Sequence, residues 1–360
     1  MTAIARASRR RWASLATGVA LLGALAMLST GARADELHRW VDANGQVHIS
    51  DSPAPAARGA PAATGSGPSP AAPSEAVPGR FREGLLWRVE PRAVPGAPIA
   101  PSYVFGTMHS SDPRVRAVAE TIEPAFRDAK AFCAEASFDG AAMLTVTERM
   151  FAGEGRSLDQ ILGRELFDRI VPLLEARGLP GGFVPMLRPW VVLLTLSVPA
   201  SAATTDASSI LDLELMNRAQ STGKTVCGVE TLDEQVDAIE AIPERELVAH
   251  IRAAADAAAS LDETYAQAIE LYVKQDLAGL ASLDAGSASG GTESRRLAAK
   301  LTRRLLDDRN VRMAARIADY VQRGGAFVAI GAGHLAGERG VLALLEKRGF
   351  VVERVAPSTP

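Results

Sequence analysis

Two short apolar runs that each end in Gly-x-x-His constrain this chain more than any other feature. Tyr103-Val104-Phe105 runs into Gly106-Thr107-Met108-His109, and Ala326-Phe327-Val328-Ala329-Ile330 runs into Gly331-Ala332-Gly333-His334. Runs of this length and composition read as buried strands. In open α/β sheets, ligands bind outside the carboxyl ends of the strands. The two histidines lie 225 positions apart, so one site holding both requires a fold that brings two such ends together. His38 and His48 belong to an N-terminal appendage and His250 to a helical pattern. The folded core therefore spends two of its three histidines on this motif.

Two further apolar runs end in a carboxylate. Ala131-Phe132-Cys133-Ala134 leads to Glu135, and Thr225-Val226-Cys227-Gly228-Val229 leads to Glu230. Imidazole and carboxylate together are the ligand set of a divalent-metal site with open positions. His109, Glu135, Glu230 and His334 are therefore candidate ligands for Zn, Mn or Co, with the identity of the metal open. Glu135 is also a candidate general base. Gly106, Gly331 and Gly333 are expected to let the backbone turn sharply and approach a ligand. Each residue alone has a blander reading, since a strand-end His often bonds a loop and a Glu there often caps a helix. Four at corresponding strand ends weigh against coincidence. On the last long helix, Asp307-Asp308-Arg309-Asn310 interrupts an apolar pattern of Leu301, Leu305, Val311, Ala314 and Ile317. Arg309 or Asn310 can orient a carboxylate or stabilise an oxyanion, whereas Asp307 and Asp308 read as a solvated face. Gly331-x-Gly333-x-x-x-Gly337 imitates a dinucleotide fingerprint, but that reading leaves His334 unexplained.

The pattern along the chain predicts an α/β domain with a mainly parallel or mixed central sheet and helical insertions. An opening hairpin, Leu85–Glu90 and Ser102–Phe105, is followed by a helix over Val115–Asp128 and a strand over Ala131–Ala136. Helices are expected over Ser157–Arg177, with Ser157 as N-cap and Gly178 as stop, over Pro189–Val198 and over Ser209–Ser221. The strand Thr225–Val229, helices to about residue 278, and a Gly/Ser-rich loop over 284–291 come next. A long helix from Ser294 ends at Gly324-Gly325. The strands Ala326–Ile330 and Phe350–Val355 flank a helix over Gly340–Lys347. The helical stretches 140–222 and 231–323 each precede a chemically marked strand, so the two segments read as a diverged pair.

Four regions follow from composition. Residues 1–34 carry Arg6, Arg9, Arg10 and Arg11, an apolar stretch from Ala13 to Leu28 and an Ala32-Arg33-Ala34 cleavage site, the pattern of a secretory signal peptide. Residues 35–53 carry two alternating runs around Asn44-Gly45, the strongest short-range hairpin signal. Residues 54–80, rich in Ala, Pro, Gly and Ser, read as a disordered linker. Residues 81–356 form the α/β domain. Loss of the signal removes five arginines and no acids, taking the formal charge from −3 to −8. An acidic mature chain is a poor binder of nucleic acid, and no later segment is apolar enough to remain a membrane span. Location in a Gram-negative periplasm, or secretion, is expected. There, Cys133 and Cys227 are compatible with one disulfide or with two buried thiols.

The marked residues resemble the TraB/PrgY/GumN/TIKI superfamily, nearest to bacterial GumN-type proteins. The resemblance spans about residues 84–355. It rests on Tyr103 to His109 with Asp112-Pro113, Glu135, Arg188-Pro189-Trp190, Asp212-x-x-Leu215-x-x-x-Ala219 and Gly223 to Thr231 with Gln235. Arg309-Asn310, Val328 to Gly337, and Leu344-Leu345-x-x-x-Gly349 complete it. The sequence departs from the family's usual pattern at Phe132-Cys133-Ala134 and Ser110-Ser111. The N-terminal hairpin resembles a small domain that follows the signal peptide of many proteobacterial envelope proteins. The superfamily resemblance implies a fold related to the erythromycin-esterase and ChaN types. It also implies a metal-dependent hydrolase, because animal TIKI members are described as metalloproteases using both Gly-x-x-His motifs and a glutamate. A peptide or other small envelope substrate is the expected partner. The alternative is a non-enzymatic protein that sequesters a peptide or haem, the histidines serving as axial ligands.

Overall fold

The computed structural model describes residues 38–41, 47–50, 80–92, 99–136, 140–152, 155–203, 210–286 and 292–356. The expected signal segment and all but the last residue of the linker lie outside them. Strand β1 (His38–Val41) pairs antiparallel with β2 (Val47–Ser50), Val41 opposite Val47, and the turn expected at Asn44-Gly45 lies outside the described residues.

The main body is built on one six-stranded sheet. Its strands are β3 (Leu86–Pro91), β4 (Ser102–Thr107), β5 (Ala131–Ala136), β6 (Thr225–Glu230), β7 (Ala326–Gly331) and β8 (Phe350–Arg354), in the spatial order β6-β5-β7-β4-β3-β8. The pairs β6–β5, β5–β7 and β7–β4 are parallel, and β3 is antiparallel to both its neighbours. Only β3 runs against the others, because a short β3–β4 link forces an antiparallel pair whereas helical crossovers permit parallel ones. The result is a mixed sheet in an α/β fold, as the alternation of strands and helices predicts. The carboxyl ends of β4, β5, β6 and β7, where the marked residues sit, share one edge.

β7 is buried along its whole length, as a central strand covered on both faces must be. Phe132 stacks on Phe327 at 6.3 Å between ring centroids, and Phe126 meets both rings edge-on. A second apolar core lies among helices, around Leu158, Ile170, Leu194, Val236 and Ile251. There the helix Pro189–Leu196 is buried from Trp190 onward, which explains why its sequence is apolar all round.

Three helices are segmented differently from their sequence pattern. The segment Val115–Asp128 begins earlier, at Pro113, with Asp112 accepting the Arg114 N–H at 2.8 Å, and tightens into a 3₁₀ turn over Ala119–Ile122. The expected helix Ser157–Arg177 is two helices, Leu158–Leu162 and Arg164–Glu175, parted by Gly163 at φ +77. The last long helix starts at Thr292 and contains a π turn, Arg303–Asp307, before continuing as Asp308–Arg323. Cys133 and Cys227 face each other in the β5–β6 register and form a disulfide with Cα atoms 4.4 Å apart. It ties the edge strand β6 to the sheet two residues before Glu135 and three before Glu230. Among the described residues, no helix is long and apolar enough to cross a membrane.

Candidate functional site

β4 and β7 pair in parallel with Thr107 opposite Gly331, so the two Gly-x-x-His loops leave the sheet side by side. A Cβ at Gly106 would stand 2.6 Å from Leu335 Cδ1 and 3.1 Å from Ala332 Cα. A side chain at this position would crowd the second loop, which is a reason for glycine here. None of Gly106, Gly331 and Gly333 has positive φ, and Gly331 lies at φ −52, ψ 134, open to any residue. Any sharp turn at these glycines is therefore made without left-handed backbone. What Gly331 contributes is a backbone N–H that donates to Glu135 Oε2 at 3.1 Å.

His334 ends a 3₁₀ turn and is fully buried. Its Nδ1 lies 2.6 Å from Asn310 Oδ1, while Asn310 Nδ2 donates to the Arg339 carbonyl at 2.9 Å. With the amide so anchored, its oxygen faces the ring, Nδ1 carries the proton, and Nε2 is a bare lone pair. That Nε2 has no hydrogen-bond partner and lies 3.9 Å from Glu135 Oε2. Burial pushes the imidazole down to about 3, so it is neutral at neutral pH.

Glu135 accepts from Arg309 Nη2 at 2.5 Å and from Gln235 Nε2 at 3.1 Å. Burial opposes its ionisation, but the Arg309 guanidinium outweighs burial and holds the carboxyl down at about 2. Arg309 also donates to Glu230 Oε2, from Nε at 2.9 Å and Nη2 at 2.6 Å. Glu230 Oε1 accepts from Arg312 Nη2 at 3.2 Å. Burial pushes the Glu230 carboxyl up, against the pull of Arg309. One fully enclosed arginine thus serves two carboxylates, which explains why Arg309 has no exposed side-chain surface. The π turn ends two residues before Arg309, and the adjacent residues Arg309 and Asn310 are both buried. Of the two aspartates expected to face solvent, Asp308 is half exposed and Asp307 pairs with Arg339.

His109 belongs to the same region, held from other elements. Its Nδ1 lies 2.8 Å from Asp212 Oδ2, and Asp212 Oδ1 accepts from Thr107 Oγ1 at 2.5 Å. Tyr265 and Tyr272, on one face of the helix Leu261–Val273, donate to the carbonyls of His109 and Gly106 at 3.2 and 2.8 Å. The charge state of His109 bears on both Glu135 and His334.

His334, Glu135, Glu230, Arg309 and Asn310 therefore form one connected network. The proposed four-ligand set does not assemble as such. Among the described residues no group of three or more His, Cys, Asp or Glu side chains is arranged to hold a metal ion. The physical reason is clearest at Glu230, whose oxygens are occupied by two arginines. Glu135 and His334 do fit a cation. Their 3.9 Å separation is within the span of two ligand bonds of about 2.0–2.2 Å. The bare Nε2 of His334 and Gln235 Oε1 are acceptors lacking a donor, and they lie in the same network as the ionised Glu135.

Sequence reasoning assigned no role to Asp212, Gln235, Tyr265, Tyr272 or Arg312. Asp212 and Gln235 stood only as matches within longer motifs, and the tyrosine pair shows itself only as an i, i+7 spacing.

Residues 24–78 match a domain of unknown function (DUF4124). The zebrafish (Danio rerio) protein named Metalloprotease TIKI2 is 26% identical over 328 residues, covering 77% of this chain and 62% of that protein. Metalloprotease TIKI1 of the same species is 24% identical over 306 residues, covering 72% of this chain and again 62% of that protein. The chain thus spans less than two thirds of these relatives' length. No solved structure matches it. The model of the TraB/PrgY/gumN family matches residues 85–354, which takes in the whole six-stranded sheet and every residue of the network, and the chain belongs to that family.

Proposed function

We propose that the protein is a metal-dependent hydrolase of the bacterial periplasm, acting on peptides. The observation that carries this reading is the buried, unpartnered Nε2 of His334 beside the ionised carboxylate of Glu135. An unpaired buried acceptor costs about 1–3 kcal/mol, so a site that keeps one is built to receive something. His334 and Glu135 would hold a divalent ion, with His109 a candidate third donor that this geometry does not bring into a three-ligand cluster, and imidazole with carboxylate suits Zn, Mn or Co. Such an ion supplies Lewis acidity to a carbonyl oxygen and activates water at neutral pH.

The chain's own residues have separate tasks. Arg309 keeps Glu135 ionised and, being enclosed, acts by positioning the carboxylates and not by touching substrate. Glu230 is the second counter-charge of Arg309 in place of the ligand role expected from sequence. Asn310 fixes the tautomer of His334. Glu135, which keeps a little solvent access where Glu230 has none, is the carboxylate able to take a proton from water. The names of the TIKI relatives support hydrolysis of peptides. The basic and apolar N-terminal segment and the disulfide support an oxidising envelope compartment. Haem sequestration gains no support, because complete burial of His334 leaves no open ring edge for a porphyrin.

Metal analysis of the purified full chain, after chelation and repletion with Zn, Mn or Co, tests the proposal. Uptake by the wild type, its loss in His109→Ala/His334→Ala, and peptide turnover only in the repleted protein are expected. Equal uptake by both proteins would sink the assignment.

A further inference from the structure

Both Gly-x-x-His histidines are gripped at Nδ1 by a helix side chain, but the two grips differ in charge. His334 is held by the amide of Asn310, and His109 by the carboxylate of Asp212. Asp212 lies in the first turn of the helix Leu211–Ser221, where an acidic residue ordinarily serves its own helix. Its observed partners are instead Thr107 and His109, 105 and 103 positions away, and together they occupy both oxygens. A carboxylate only accepts, so the Nδ1 facing it must carry the proton and Nε2 becomes the acceptor nitrogen of the neutral ring. The backbone around His109 is fixed independently by Tyr265 and Tyr272. The Thr107–Asp212 pair acts instead on the ring, at Nδ1, and so on its rotation and tautomer.

We infer that Asp212 is the positioning residue of the first histidine, pinning His109 in the Nδ1–H tautomer and making its Nε2 the stronger donor of the two towards a divalent cation. Carboxylates behind ligating imidazoles raise ligand basicity, and their loss weakens metal affinity by about 10–100-fold. The amide behind His334 orients without adding charge. The affinity part of the inference rests on the metal reading above, whereas the tautomer part does not.

The test uses the full chain in two measurements. Imidazole ¹⁵N–¹H spectra of the metal-free protein, above the ordinary imidazole range of about 6.5, report the tautomer directly. His109 is expected as Nδ1–H in the wild type and in Asp212→Asn, which keeps an acceptor, and as a tautomer mixture in Asp212→Ala. Zn titration of the same proteins is expected to show affinity about tenfold or more weaker in Asp212→Asn, with the melting temperature of the metal-free protein unchanged. Thr107→Val, which removes only the hydroxyl, is expected to weaken affinity by a smaller factor and serves if Asp212→Ala does not fold. A wild-type His109 protonated at Nε2, or a tautomer that Asp212→Ala leaves unchanged, overturns the inference whatever the metal result. A wild type that binds Zn with the same affinity as Asp212→Asn overturns the charge effect alone. A wild type that binds no Zn, Mn or Co overturns the metal reading and leaves the spectra to decide the positioning role.

Discussion

At the scale of residues, Arg309 is the side chain on which the site depends most. It is wholly buried and neutralises two enclosed carboxylates at once. Replacing it strands both. Removing one partner of a buried pair costs about 3–5 kcal/mol, so Arg309→Met is expected to lower urea-denaturation stability by at least that amount. Arg309→Lys should rescue little, because a single ammonium cannot reproduce the forked contacts to Glu135 and Glu230. Much of this residue-level picture was legible in the sequence. His109, Glu135, Glu230 and His334 stand out because each follows an apolar run, and Arg309 and Asn310 because they break an apolar helix pattern. What was not legible is who holds whom. Whether Glu230 faces a metal or an arginine depends on a contact across 79 positions, and no local pattern encodes it. Asp212 hid for a different reason: acidic residues are common in the first turn of any helix.

At the scale of elements, the helix Leu232–Glu240 is tied to the helix Asp308–Arg323 by Glu234 and Arg316, at 2.6 and 2.7 Å. The hydrogen-bonded Arg316 guanidinium holds Glu234 at about 2, below its ordinary 4.5, with burial opposing. A carboxyl depressed on folding contributes stability that is full above about 4.5 and fades as pH falls towards about 2. Glu234→Gln keeps an acceptor for the capping box with Thr231 but loses the charge and one of the two oxygens that accept from Arg316. The variant is therefore expected to be less stable than the wild type at pH 7, with the gap closing on acidification. Denaturation midpoints measured from pH 7 downward check this, and a gap that is constant with pH would refute it. The existence of the helices was legible from their periodicity, but their breaks were not. A glycine inside a helical pattern costs only about 1 kcal/mol and is often tolerated, so Gly163 gave no warning that Ser157–Arg177 would divide. The π turn at Arg303–Asp307 has no sequence signature, although π turns recur at functional sites.

At the scale of the whole molecule, a six-stranded α/β sheet with its chemistry on one edge was legible because strands alternate with helices and four of them end in His or Glu. The order of the strands was not. β7 pairs with β4 and β5, which the chain completed long before, and apolar runs do not say which distant run they will meet. That order has a consequence for how the molecule comes into being. Until Ala326–Gly331 is available, β4 and β5 have no strand between them, and the Phe132–Phe327 stack cannot form. A chain ended at Gly325 is expected to lack a cooperative thermal transition and to be cleaved rapidly by protease. A sharp transition in that fragment would show that the earlier strands close on their own. Interruption of synthesis or export just short of this strand would leave two unpaired parallel edges side by side, and bare edges are the surfaces through which chains aggregate.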